Sequence, residues 1–262
     1  MFPLAGSQIP DSPDALAAAL TRGFAARGMP AREVRTLGAW PALDLLRIDL
    51  SGAKISQPTL PGKVGDGVQP CVTTKRFEFE AAPAEVNGMP IHISLHAEDA
   101  AFDFAPLEGG QAMLAIKQAA HGELSAQAAH SDLERLIHSL VSAAAREHGA
   151  EIKSVALRFT SRGPRAVSIN AEVTAKMFIA TTKLAFSGDA DLDDKLNARL
   201  SNLRFQGDGV MANLAGGFIR PKLASFEGRT FPLMNFALGD ITLRDVQLEA
   251  GETLRLSAQF GS

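Results

Sequence analysis

The chain has 262 residues, 46% of them hydrophobic and 21% charged, with a formal net charge of −3. This is globular composition at a length that fills one large domain or two smaller ones, and it excludes a disordered or collagen-like chain. The near-neutral balance supplies no broad field for nucleic acid or an anionic membrane, and the single cysteine, Cys71, excludes intramolecular disulfides and thiolate metal clusters.

The opening MFPLAGSQIPDSP carries neither a basic n-region nor an apolar h-region, and no window approaches eighteen consecutive apolar residues. The expectation is a cytoplasmic protein as written, or a periplasmic or cell-envelope one if a leader has been removed. Ser12 reads as the N-cap of a first helix, with Pro13 at the first helical position and Asp14 near the positive end of the dipole. Leu16, Leu20 and Phe24 recur every four residues as its apolar stripe, and Gly28 and Pro30 end it. Two alternating stretches follow, Leu46-Arg47-Ile48-Asp49-Leu50 and Lys75-Arg76-Phe77-Glu78-Phe79-Glu80. Between them SGAKISQPTLPGKVGDGVQP, rich in Gly and Pro, reads as a long mobile loop. Asn87-Gly88 tolerates the positive φ of a type I′ turn and joins the Phe77 strand to Ile91-His92-Ile93-Ser94-Leu95-His96. Phe102 and Phe104 begin another strand, and Gly109-Gly110 turns the chain into the stretch around Leu114 and Ile116.

A second helix is expected to start at a capping box, Ser131 with Glu134, each side chain bonding the other's free N–H. Leu133, Leu136, Ile137, Leu140, Val141 and Ala144 form its broad apolar face, and Gly149 sits at C′. A strand with Val155, Leu157 and Phe159 follows, and an RGPR turn at 162–165 leads into the longest alternating run. There Val167, Ile169, Ala171, Val173, Ala175, Met177 and Ile179 point one way, and Ser168, Asn170, Glu172, Thr174 and Lys176 the other. At ~3.3 Å per residue the run spans about 40 Å, roughly twice the usual strand. An equally long apolar object must lie against it: a helix, a second sheet or a row of lipid tails. Leu184 and Phe186 fall on the opposite phase from Ile179, which predicts a bulge or bend near Thr181-Thr182. After an acidic turn at 189–194, Leu196, Ala198 and Leu200 resume alternation.

A third helix is expected after Asp208, using Met211, Leu214 and Phe218. Gly216-Gly217 removes side chains where a backbone or ligand can approach, and Pro221 bends or ends the helix. Ile241 and Leu243 open the closing strands, with a phase slip at Asp245 before Val246 and Leu248. A Gly251 turn then leads to Leu254, Leu256, Ala258 and Phe260. The fold class is α+β, with antiparallel pairing favoured by the short connections. The reading is a single domain, 1–262, made of two similar helix-plus-meander halves, 1–128 and 129–262.

No residue set announces a reaction. His92 and His96 would suit a metal on a helix, but alternation puts them on the wet face of a strand about 13 Å apart. His138 and His148 lie off the apolar stripe of the second helix and read as solvated, with His130 at its start. Asp189-Ala190-Asp191-Leu192-Asp193-Asp194 begins like a calcium loop, yet Asp194 replaces the required Gly and Leu200 the bidentate Glu. Cys71 sits in a Pro-rich loop without a neighbouring His, and Gly62-Lys63-Val64-Gly65-Asp66-Gly67 lacks the G-K-[ST] spacing of a phosphate loop. Glu78 and Glu80 lie on the wet face of a strand. Fifteen Phe and no Tyr read first as compositional drift in a high-Ala, high-Arg genome; the sharper alternative is that many of these rings line a dry interior rather than a wet binding surface.

The run RFTSRGPRAVSINAEVTAKMFIATTKLAFSGDADLDDKLNARLSNLRFQGDG, the helix VMANLAGGFIRP and the return FPLMNFALGDITLRDVQLEAG resemble the bacterial LmeA-like phospholipid-binding family. That group is similar in turn to the tubular lipid-binding (TULIP) superfamily. The resemblance covers roughly residues 130–262 and implies a long helix cradled by a highly curved antiparallel sheet, with an apolar channel between them. It carries over no catalytic residue, because the family's function is binding.

The leading expectation is therefore a non-enzymatic carrier or sensor of a lipid or other long apolar ligand, with transient membrane-surface contact, no cofactor and no nucleic acid. The alternative is a structural or protein-interaction module whose interior is fully packed, with Leu140, Val141, Leu214 and Phe218 filling the concavity. Ligand-lining residues cannot be assigned from alternation, because an inward side chain serves core or cavity equally.

Overall fold

The computed structural model describes residues 1–55, 64–108, 110–146, 149–177, 180–194, 196–207, 209–232 and 241–261, without the side chains of Ala144, Met177, Val210, Met211, Leu214, Ala215, Phe218 and Pro232. The class is α+β, with a curled antiparallel half-barrel sheet. The chain divides into two compact units, Met1–Gln127 with Met234–Val246 and Leu256–Ser262, and Ala128–Leu233 with Gln247–Arg255. Among the described residues no helix is long and apolar enough to cross a membrane.

The first unit begins with β1 (Phe2–Leu4) and α1 (Pro13–Ala26). Ser12 caps α1 through its hydroxyl, which accepts the Ala15 N–H at 3.2 Å, and Leu16, Leu20 and Phe24 are fully buried, as their spacing predicts. Then come β2 (Glu33–Ala39), β3 (Ala42–Asp49), β4 (Lys54–Ile55), β5 (Gln69–Val86), β6 (Met89–Pro106), β7 (Ala112–Gln118) and β8 (His121–Ala129). Asn87 and Gly88 make the expected turn at φ 51° and 79°. Two expectations need correcting. Phe102 and Phe104 belong to the same strand as Ile91, because β5 and β6 run unbroken for 18 residues each. The apparent break is a phase change between the pairs Phe77↔Ala97 and Thr74↔Ala100, where Asp99 takes a left-handed φ of 47°. Pairing is also not wholly antiparallel: β3 and β5 run parallel from Ala42↔Thr73 to Asp49↔Glu80. Parallel neighbours need a long crossover, and the Gly/Pro-rich stretch supplies it, with β4 adding a second parallel pair, Lys54↔Glu85. Residues 56–63 of that stretch lie outside the described residues. Phe2, Phe77 and Phe102 pack edge to face in the core, with ring centroids 5.1 and 5.0 Å apart.

The second unit carries α2 (His130–Arg146), β9 (Ala150–Gly163), β10 (Ala166–Met177), β11 (Ala180–Leu192), β12 (Asn197–Gly207), α3 (Gly209–Phe226) and β13 (Thr230–Pro232). Its strands lie in the order β13-β12-β11-β10-β9. The long alternating run ends at Met177, and β11 pairs back along it from Met177↔Ala180 to Ala166↔Asp191. The phase change before Leu184 therefore comes from chain reversal, not from a bulge at Thr181-Thr182; Phe178 and Ile179 lie outside the described residues. Pro221 does not end α3, which continues to Phe226.

The chain closes with β14 (Leu243–Ala250) and β15 (Thr253–Phe260). Asp245 takes φ 48°, which produces the expected slip between buried Leu243 and buried Val246. Leu256, Ala258 and Phe260 are buried in the first unit's sheet, where β15 lies beside β8. Gly122 of β8 leaves room for the Phe260 ring, which would lie 2.2 Å from any Cβ added there.

Candidate apolar binding site

Register turns the alternation of the second unit into rows that cross its sheet. Opposed residues in antiparallel strands share a face. One row is Val155-Val173-Leu184-Gly207, the next Leu157-Ala171-Phe186-Phe205, and the next Phe159-Ile169-Gly188, where Leu203 closes over Gly188. Val173, Ala175, Leu184, Ile152 and Ala212 form a buried cluster flanked by Val141 and Ala145 of α2 and Ile219 of α3. Over the next two rows burial dips, although Leu157 stays buried and burial returns at Val167 and Ala190. Ile169, Ala171, Phe186, Phe205, Leu203 and Phe159 are only half-buried. Ala171 adds little bulk to this part of the apolar floor, whereas the space above Gly188 is taken by Leu203, 2.5 Å from where a Cβ would stand.

Helix α2 lies along β9, and its start differs from the expected capping box. Glu134 does not bond back within the helix. Its carboxylate accepts the Leu157 N–H at 2.7 Å, and His130 Nε2 lies 2.8 Å from the Leu157 carbonyl. The His130 ring packs edge to face on Phe159, with centroids 5.3 Å apart. Leu133, Leu136, Ile137 and Val141 are half-buried, and none of the described α2 residues is fully buried. Leu140 is 61% exposed, so it does not fill an interior. The expected fillers Leu214 and Phe218, with Met211, lie outside the described side chains. Ser142 and Thr182 carry buried hydroxyls without a hydrogen-bond partner among the described residues. Such groups are uncommon in native interiors and call for a partner.

Helix α3 lies along β12. Ala212 meets Gly207, and the Phe205 ring packs on Gly216, 3.0 Å from where a Cβ would stand. Gly217 faces open space. At the far end of the helix, Glu227 reaches the bulge opposite Gly188, its two carboxylate oxygens accepting the Asn202 and Leu203 N–H groups at 2.9 Å each. Between these contacts lies an open cleft of about 630 Å³, lined by β12 residues Asn202 to Gln206 and by Arg220, Leu223, Ala224 and Glu227. The Arg220 guanidinium stands 6.0 Å from the centroid of the Phe205 ring.

The polar candidates fall elsewhere and have structural partners. Asp189 and Asp191 are strand residues rather than turn residues, and only the segment after Leu192 turns. Asp189 accepts hydrogen bonds from Ser168 Oγ and Asn202 Nδ2, both at 2.7 Å, and pairs with Arg162. Those two hydrogen bonds and the Arg162 charge hold its carboxyl below the usual range. Arg162 also pairs with Asp191, and Arg165 with Asp194. Three of the four aspartates of the run thus pair with the two arginines of the RGPR turn, and among the described residues no cluster suits a metal. Glu80 pairs with His96, Arg47 with Glu78, and His92 is exposed on the wet face. His138 is half-buried rather than solvated, while His148 lies outside the described residues. Cys71 is buried, and burial with the Asp103 charge pushes its thiol up to about 11, away from nucleophilic chemistry. Gly62 and Lys63 lie outside the described residues.

Sequence reasoning missed Phe205, Arg220 and Glu227 as neighbours. The FIRP segment and the RFQG strand end each carry an aromatic and a cation, but nothing local says that they meet. No protein-family model, curated protein or solved structure matches the chain.

Proposed function

We propose that the second unit is a non-enzymatic binder of a lipid or other long apolar ligand, held between the sheet and its two helices in a TULIP-like manner. The observation that carries this reading is the under-buried apolar layer. The amphipathic face of α2 lies over a sheet whose Ile169-Phe186 region stays half-buried, and no described α2 residue is sealed from solvent. Each methylene taken from water into such a site contributes on the order of 0.8 kcal/mol, so a chain of ten carbons is ample to offset its own ordering.

A packed module without ligand is the second reading, and the first unit favours it for its own part. There Phe24, Phe77, Phe102 and Phe260 are all fully buried, so its core is already filled by side chains. The two readings separate on uptake. A photoactivatable fatty acid should label peptides from α2 and β9–β12 of the full chain and spare those of the first unit. Labelling spread evenly over both units, or none at all, would overturn the assignment.

A further inference from the structure

The chain closes parts of both edges of the second unit's sheet with its own groups. At β9, Glu134 accepts the Leu157 N–H and His130 Nε2 lies 2.8 Å from the Leu157 carbonyl. At β12, β13 pairs with Asn197, Ala198 and Arg199. Leu200 follows, its N–H bonded to the Arg229 carbonyl at 3.0 Å and its carbonyl to the Gly228 N–H at 2.8 Å. The bulge opposite Gly188 then turns two successive N–H groups outward, those of Asn202 and Leu203, and Glu227 accepts both. Alternate residues of an antiparallel strand direct their N–H and carbonyl away from a given neighbour. With Leu203 turned away from β11, Phe205 is turned away as well. Among the described residues its outward N–H and carbonyl meet no partner.

This stretch of edge opens into the cleft, whose far wall is Arg220, Leu223 and Ala224 of α3. Phe205 and Arg220 share one side of the strand. The Phe205 ring and Arg220 Nε stand 3.0 and 3.5 Å from where a Cβ on Gly216 would lie, and the guanidinium is 6.0 Å from the ring centroid. Arg204 alternates to the other face, where its charge acts on Asp189. Arg220 has no ion-pair partner among the described residues. Glu227, the one carboxylate in the lining, is committed to the bulge.

We propose that this edge takes an extended peptide, which adds to β12 as one more strand and carries an acidic side chain for Arg220. Opposed residues of neighbouring strands share a face. The peptide residue opposite Phe205 therefore exchanges main-chain hydrogen bonds with it and directs its carboxylate at Arg220, where the unpaired guanidinium gains a charge-assisted bond. Helix α3 runs from Gly216 beside Phe205 to Glu227 beside Leu203, so Leu223 lies toward Leu203. The peptide residue opposite Leu203, two along and on the same face, meets Leu223 and is apolar. Main-chain bonds supply affinity and the alternate side chains selectivity, as in strand addition to other open edges. A second copy of β12 is the poorer occupant, because two-fold pairing about Phe205 brings two Arg220 guanidiniums together.

The test uses the full chain and the fluorescein-labelled peptide TLTETLT, whose palindromic order fits either strand direction. By fluorescence anisotropy it should bind about tenfold more tightly than TLTQTLT, the difference between a charged and a neutral acceptor. TLTETLT N-methylated at its glutamate, which cannot donate its main-chain N–H, should bind more weakly by at least about the same factor. With R220Q the preference for glutamate over glutamine should disappear while TLTQTLT binds as before. Amide exchange at Phe205 should slow when TLTETLT is added, with Leu157 on the other edge as the unaffected reference. Equal binding of the N-methylated peptide, or unchanged exchange at Phe205, overturns strand addition. A glutamate preference that survives R220Q overturns the role of Arg220. No binding of TLTETLT at millimolar concentration overturns the peptide site altogether.

Discussion

Glu134 accepts the backbone N–H of Leu157 at 2.7 Å while His130, one turn earlier on the same helix, lies 2.8 Å from the Leu157 carbonyl. Two side chains of α2 thus do for an edge strand what a neighbouring strand would do. An open edge presents unpaired backbone groups that invite pairing with another chain, and β9 is the last strand of its sheet. Glu134→Ala leaves the N–H of a buried residue unpaired, which should cost roughly 1–3 kcal/mol. Glu134→Gln keeps an acceptor oxygen and should lose less. Denaturant midpoints rank the variants, and amide exchange at Leu157 reports the bond itself. Unchanged exchange at Leu157 in the alanine variant would mean that the contact contributes nothing.

The opposite edge of the same sheet is closed by Glu227, with both carboxylate oxygens on the Asn202 and Leu203 N–H groups. A bulge opens a strand locally, and here the two amides it frees share one acceptor group. Glu227→Gln retains one acceptor and Glu227→Ala none, so exchange at Asn202 and Leu203 should accelerate in that order. The alanine variant should lose about 1–2 kcal/mol, less than an enclosed charge-assisted pair because the site is exposed. Protection that is equal in all three proteins would show that α3 is held by its apolar face alone.

The Asp189 network has a signed pH dependence. Hydrogen bonds from Ser168 and Asn202, then the charge of Arg162, lower its folded-state pKa. A lowered carboxylate stabilises the fold above its unfolded value of about 3.9 and ceases to do so as pH falls through the folded value. The stability gap between the natural protein and Asp189→Asn should therefore stay constant from neutral pH to about 5. It should shrink below about 4 and vanish at still lower pH. A gap that widens on acidification would contradict the assignment.

Gly23 sets two effects against each other. Replacing a helix-interior glycine by alanine ordinarily gains about 1 kcal/mol in helix propensity. Here the new Cβ would stand 2.3 Å from the Pro3 carbonyl oxygen and 2.6 Å from its carbon, and backbone yields less readily than a side chain. Overpacking of this kind costs typically 1–3 kcal/mol, and β1, paired to β7 from Phe2↔Leu114 to Leu4↔Ala112, would have to move. The steric cost wins, so Gly23→Ala should lower the melting temperature by a few degrees. A higher melting temperature would show that propensity dominates.

What the sequence disclosed was local. The Ser12 cap, the Asn87-Gly88 turn and the slip at Asp245 each depend on a few adjacent residues, and all three stand in the structure. What stayed hidden depends on partners far along the chain. Glu134 has the spacing of a capping box, yet its acceptor role is taken by Leu157, 23 residues away. β8 was not visible because His121-Gly122-Glu123-Leu124 reads as weak alternation, and its glycine makes sense only once Phe260 arrives against it. The cleft was illegible for the same reason: Phe205, Arg220 and Glu227 sit on different elements and meet only through the fold. A parallel pair between β3 and β5 gives no local signal at all beyond the length of the connection.

The central claim, that the half-buried apolar layer of the second unit receives an acyl chain, is most directly tested by native mass spectrometry of the gently purified full chain. The account predicts added mass matching one apolar ligand per chain, or its appearance on incubation with laurate. A clean unliganded mass that stays unchanged at saturating laurate would contradict it.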